Sequence, residues 1–189
     1  MGMLVYIVGL AGFFGLHAFS ALRRRGSNDI RARMGEGRYL GLYSVAALLF
    51  FLAVFWGYDR APRGEPLWYS HAAAHASWMV VWPALVLITA AYTPLGYIKA
   101  IARHPMMLGI LVWAGAHLLV GGDLVKVLLF GSFAAYAVLS LGVAYARGNR
   151  PQGTPSWRGD AWAFVIGTLI FGALMHGGHR LAFGVSPFG

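Results

Sequence analysis

The stretch Met106-Met107-Leu108-Gly109-Ile110-Leu111-Val112-Trp113-Ala114-Gly115-Ala116-His117-Leu118-Leu119-Val120-Gly121-Gly122-Asp123-Leu124 decides the fold. It is apolar through Val120 except for one histidine, and it stops at Gly121-Gly122-Asp123. A second apolar run then lasts from Leu124 to Ala146. Two such runs joined by three turn residues predict an antiparallel helical hairpin. The chain enters the first run through Arg103-His104-Pro105. Proline suits the first turn of a helix, because an N–H there would have no intrahelical partner.

The rest of the sequence reads the same way. Crossing about 30 Å of hydrocarbon takes about 20 apolar residues. Six segments come close: Met3–Leu22, Leu40–Tyr58, His71–Tyr92, Met106–Gly121, Leu124–Ala146 and Ala161–Phe183. The fourth is the shortest. The fold expected is all-α, a polytopic transmembrane bundle of about six helices. Composition agrees, with 59% hydrophobic and 11% charged residues, where a soluble domain carries about 25% charged. A soluble protein of this composition would expose large apolar patches. The 189 residues suit one transmembrane domain over 1–189. The first apolar run precedes Arg23-Arg24-Arg25 rather than following a basic segment, so it is expected to be a retained helix and not a cleaved leader.

Turn chemistry fills the connections. Gly26, Ser27, Asn28 and Asp29 suit a turn and a helix start, Pro94 and Pro105 bracket the third connection, and 148–155 is rich in Gly and Pro. No internal repeat and no low-complexity tract is evident. The formal charge is +9, from 15 Lys+Arg against 6 Asp+Glu. The basic residues fall between apolar runs, which fits membrane topology and anionic lipid better than nucleic acid. The loops after the first, third and fifth spans hold Arg23, Arg24, Arg25, Arg31, Arg33, Arg38, Lys99, Arg103, Arg147, Arg150 and Arg158. The other side holds Arg60, Arg63, Lys126 and Arg180. This asymmetry places both termini outside the cytoplasm.

Absences narrow the chemistry. There is no cysteine, so thiolate ligands and disulfides are excluded. Asp29, Glu36, Asp59, Glu65, Asp123 and Asp160 all fall in expected loops, which argues against carboxylate relays and carboxylate-bridged di-iron centres. No phosphate-cradling glycine loop is present. What remains is seven histidines among 7 Trp, 9 Tyr and 12 Phe. An ionisable group in hydrocarbon is costly, so each is a functional candidate. His117 has small neighbours that leave room for a flat cofactor or for a close helix. His17 lies above the arginine cluster, as a ligand or as an interfacial side chain. His71 and His75 share a helix face, yet no acidic residue accompanies them to complete a metal site. His176 and His179 read as anchors at a helix end. Arg103 and His104 suit a phosphate, a haem propionate or an acidic lipid, or form a plain basic flank. A haem between helices fits this inventory better than zinc, since bis-imidazole ligation takes one histidine from each of two helices in an apolar slot.

Arg103-His104-Pro105-Met106-Met107-Leu108-Gly109, followed by Trp113-Ala114-Gly115-Ala116-His117-Leu118-Leu119-Val120-Gly121-Gly122-Asp123, resembles the signature of the NnrU family. So do His17 with Ala21-Leu22-Arg23, Gly35-Glu36-Gly37-Arg38-Tyr39 with Leu42-Tyr43-Ser44, Tyr58-Asp59, Leu67-Trp68, and the end Phe183-Gly184-Val185-Ser186-Pro187-Phe188. The resemblance covers nearly the whole chain. The family comprises bacterial membrane proteins associated with nitrite and nitric oxide metabolism, and it includes 15-cis-zeta-carotene isomerase. The resemblance implies a haem b protein of the bacterial inner membrane. It implies His17 and His117 as axial ligands; Arg103, His104 and Trp113 are expected beside the cofactor from their own place in the sequence. Where the isomerase has a cysteine three residues before the second ligand, this chain has Ala114.

At 1.5 Å per residue, His17 lies about 8 Å and His117 about 17 Å from the arginine-rich ends of their helices. The difference leaves His75–His117 as the alternative pair. Two functions follow from the resemblance. One is redox-dependent cis-trans isomerisation of a lipophilic polyene such as a carotenoid. The other is non-enzymatic: an electron carrier, a nitric oxide sensor or an accessory factor in denitrification. A small transporter is a third class, weakened by the absence of intramembrane charge and of inverted repeats.

Overall fold

A computed structural model describes residues 1–23 and 29–186. The chain is all-α, and it divides into two compact units, 1–64 and 65–189.

The first unit is a hairpin of α1 (Gly2–Leu22) and α3 (Glu36–Arg60), with the short α2 (Ile30–Met34) between them. Of the expected turn residues, Asp29 occupies the N-cap position of α2, while Gly26, Ser27 and Asn28 lie outside the described residues. Lipid supplies no hydrophobic drive between helices, so close backbone packing must hold the hairpin. Glycine allows it. A Cβ on Gly57 would lie 2.5 Å from the Tyr6 backbone nitrogen, and one on Gly9 2.8 Å from that of Val54. Tyr6 is fully buried in the seam and meets Tyr58 edge-on at 6.0 Å.

The second unit holds α4 (His71–Ala90), α5 (Tyr97–Ala102), α6 (Pro105–Val120), α7 (Leu124–Ala146), α8 (Trp157–Ala173) and α9 (His179–Phe183). Helix α4 is central, packing on α6 and α8, while α6 packs on α7. Gly109 lets α6 approach the α4 backbone at Ile88, where a Cβ would stand 2.9 Å from the amide nitrogen. Trp82 donates to the Thr168 hydroxyl at 3.0 Å across the α4–α8 seam. The Asp160 carboxylate accepts from the Tyr97 and Ile98 amides, both at 2.9 Å, and so caps α5. Asp160 lies in the first turn of α8, and Glu36 and Asp59 in the first and last turns of α3, rather than in loops, because both helices run past the apolar stretch that hydropathy alone marks.

The expected α6–α7 hairpin is present. Asp123 caps α7 by accepting from the Lys126 amide at 2.9 Å. The turn is also tied to a distant segment. β1 (Trp68–Tyr69) pairs antiparallel with β2 (Gly121–Gly122), and the Trp68 indole donates to the Leu118 carbonyl at 2.8 Å. Gly121 takes φ +92°, which this pairing requires and side chains seldom adopt.

Among the described residues, five helical runs are long and apolar enough to cross a membrane: α1, α3, α4, α7 and 157–183. The fourth expected span, α6, is a shorter apolar helix of 16 residues. The last span is not straight. It breaks at His176 (φ −83°, ψ 28°) and Gly177 (φ 113°), which separate α8 from α9.

Candidate functional site

The two strongest candidates lie in different units and are described separately. His117 stands one turn before the end of α6. Its Nδ1 lies 2.8 Å from the carbonyl of Trp113, four residues earlier. A carbonyl only accepts, so Nδ1 carries the hydrogen, and in the neutral ring Nε2 keeps the lone pair. The ring stacks on Phe130 of α7 at 4.3 Å and 20°, and it meets Trp113 at 5.0 Å. Trp113 in turn meets Phe130 and Phe133 edge-on. Ala114 and Ala116, beside the histidine in sequence, are buried. Two aromatic rings thus restrain the imidazole, and Phe133 backs one of them. Lys126 and His179 lie within electrostatic reach of it.

His17 repeats the arrangement on α1. Its Nδ1 lies 2.7 Å from the Phe13 carbonyl, again four residues back, so Nε2 again keeps the lone pair in the neutral ring. The Phe13 ring lies 4.2 Å away, and Tyr43 of α3 meets the imidazole edge-on at 5.6 Å. Tyr43 stacks on Tyr39 at 6.1 Å. The Arg23 guanidinium lies 4.4 Å over the Tyr39 ring and pairs with Asp29 at 3.0 Å.

The remaining histidines differ. His75 is exposed on α4. His71 opens α4 with its ring edge-on to Tyr69 at 4.7 Å. His176 sits at the break in the last span, and His179 donates from Nδ1 to the Val185 carbonyl at 2.8 Å. His104 precedes α6 at its N-cap position, with its Nε2 buried and without a hydrogen-bond partner. Arg103 lies over Tyr145 at 5.6 Å. Among the described residues, no group of three or more His, Asp or Glu side chains could hold a metal ion.

Each imidazole by itself is a donor of the kind that haem iron takes. Haem iron requires only axial donors from the protein, and both imidazoles hold the tautomer that presents Nε2 to a metal. The sequence singled out His17, His117 and Trp113 as candidates; it did not link them to Phe130, Phe133 and Tyr43, which meet these rings from neighbouring helices. A local signal was present. Phe13-Phe14-Gly15-Leu16-His17 and Trp113-Ala114-Gly115-Ala116-His117 share the pattern aromatic-x-Gly-x-His.

These features define an all-α integral membrane protein with histidines lodged among aromatic rings of its apolar helices. The chain belongs to the NnrU family: the family model described as NnrU protein matches residues 5–187. No curated protein and no solved structure matches it.

Proposed function

We propose that this chain binds haem b, with His117 as one axial ligand and His17, carried over from the family resemblance, as the other. The observation that supports this reading most is the shared Nδ1 bond to the carbonyl four residues back. It fixes the tautomer that metal-ligating histidines commonly use. When bound, the haem would supply one-electron redox chemistry. The chain's own contribution is to aim Nε2, to restrain the imidazole with Trp113 and Phe130, the former backed by Phe133, and to keep water away.

The same reading places the protein in the bacterial inner membrane with both termini outside the cytoplasm, on the count of basic residues. A lipophilic polyene entering from the lipid is the substrate class for an isomerase. Ala114 favours the second reading, in which the haem serves electron transfer or nitric oxide sensing in nitrite and nitric oxide metabolism. The thiol that the isomerase branch carries at that position is missing here. The test is a reduced-minus-oxidised spectrum of the purified chain, followed by pigment analysis in cells making a cis-carotene. A Soret band with isomerised pigment supports the isomerase. A Soret band with unchanged pigment supports the redox role, and no Soret band after incubation with haemin rejects both.

A further inference from the structure

We propose that Arg103, His104 and Tyr145 form a binding site for a phosphate oxyanion at the arginine-rich end of the 65–189 unit. Neither the fold nor the haem reading accounts for the backbone here. Among the described residues, Arg103 is the sole non-glycine with positive φ, at φ 60° and ψ −47°. The His104 amide closes onto the Ala102 carbonyl at 2.6 Å, which makes Arg103 the centre of a γ-turn of the rare, strained kind. Such strain persists only where the surroundings hold it, and it concentrates at functional sites.

The turn brings two nitrogen-bearing side chains onto one ring. The Arg103 guanidinium lies 5.6 Å over Tyr145, and the His104 imidazole meets the same ring edge-on at 5.7 Å and 86°. Tyr145 is anchored by its hydroxyl, which donates to the Ala102 carbonyl at 3.3 Å. Nearby groups of either sign are committed elsewhere. Lys99 donates to the Ala91 and Thr93 carbonyls at 2.9 and 3.0 Å. Asp160 is occupied with the α5 amides. Arg103 has no carboxylate partner among the described residues, whereas Arg23 in the other unit is paired with Asp29. The His104 Nε2 is sealed from solvent with no partner. A buried polar nitrogen left unpaired is unfavourable, so the ring gains by turning outward to meet an acceptor oxygen when that nitrogen carries the proton.

An unneutralised guanidinium beside an imidazole suits a phosphate, which accepts from a planar N–H fork and from a ring N–H together. The cluster lies at the start of α6 and the end of α7, where apolar helix gives way to basic loop. Two sources reach that depth: an anionic lipid headgroup and free phosphate in the water. Arg103 and His104, expected from the sequence beside the haem, are here assigned to phosphate instead, since His104 lies thirteen residues before His117, roughly 20 Å along α6.

The test uses the purified full chain in neutral detergent. The probes are dioctanoyl-phosphatidylglycerol, dioctanoylglycerol and inorganic phosphate, with binding read by calorimetric titration. We expect phosphatidylglycerol to bind and dioctanoylglycerol not to. R103G should weaken binding by about tenfold or more, H104Q by less, and R150Q not at all. Phosphate binding alone as well as the lipid would assign the site to the free anion. Because φ 60° suits glycine and not alanine, R103G should also melt at a higher temperature than R103A while losing the same response. The proposal is overturned if R103G and H104Q bind phosphatidylglycerol like the wild type. It is equally overturned if dioctanoylglycerol binds as well, or if R103A melts no lower than R103G.

Discussion

His17 and His117 share a backbone device but not a setting. Each donates from Nδ1 to the carbonyl four residues back and stands a turn after an aromatic ring. His117 is then stacked face-on against Phe130, and Trp113 is backed by Phe133. His17 has Tyr43 at an edge, and beyond it a polar chain through Tyr39 to the Arg23–Asp29 pair. A helix can set a histidine's tautomer by itself, using its own carbonyls. It cannot restrain the ring, which depends on what the neighbouring helix offers. The 65–189 unit offers His117 a flat apolar wall, and the 1–64 unit offers His17 an edge and a route toward charge.

This contrast can be broken in several ways. The largest effect should come from the imidazoles. His117→Ala should lower haem affinity by at least about 100-fold, beyond what loss of a ligand's hydrogen-bond partner costs. His17→Ala should leave a weaker but measurable Soret band, and a titration with haemin checks both. Equal loss in the two variants would mean that the aromatic restraint contributes nothing.

Next is the seam that positions His17. Gly57→Leu should destabilise the α1–α3 hairpin by about 1–3 kcal/mol or more, because even a Cβ there meets the Tyr6 backbone. Thermal unfolding in detergent measures it. A smaller effect is expected from Asp160→Ala, which uncaps α5 at a cost of about 1 kcal/mol. The same assay should detect it without any change in haem binding. Smallest is Phe130→Leu, which keeps apolar volume and removes the ring stacked on His117. The stacking itself is worth about 0.5–1.5 kcal/mol. Tyr43→Leu should have less effect on haem affinity still.

Much of the fold was legible in the sequence because lipid imposes a simple code. Apolar length gave the spans, and Gly121-Gly122-Asp123 gave the α6–α7 turn. The break at His176–Gly177 was hidden inside an apolar run whose hydropathy is indifferent to backbone geometry. The pairing of Trp68–Tyr69 with Gly121–Gly122 was not legible either, because two-residue strands carry no period and their partners lie far apart in sequence. At the candidate site, Trp113 and His117 could be linked because they are four apart on one helix. Phe130 and Phe133 could not. A helix that is apolar on all sides does not announce which face meets its neighbour. The strained turn at Arg103 was likewise invisible, since nothing in Arg103-His104-Pro105 requires a positive φ.

The most direct measurement is the visible spectrum of the chain purified after incubation with haemin, reduced minus oxidised, beside His117→Ala. The account predicts a low-spin Soret band in the wild type that His117→Ala abolishes. A wild type without a Soret band, or a His117→Ala spectrum identical to it, would contradict the account.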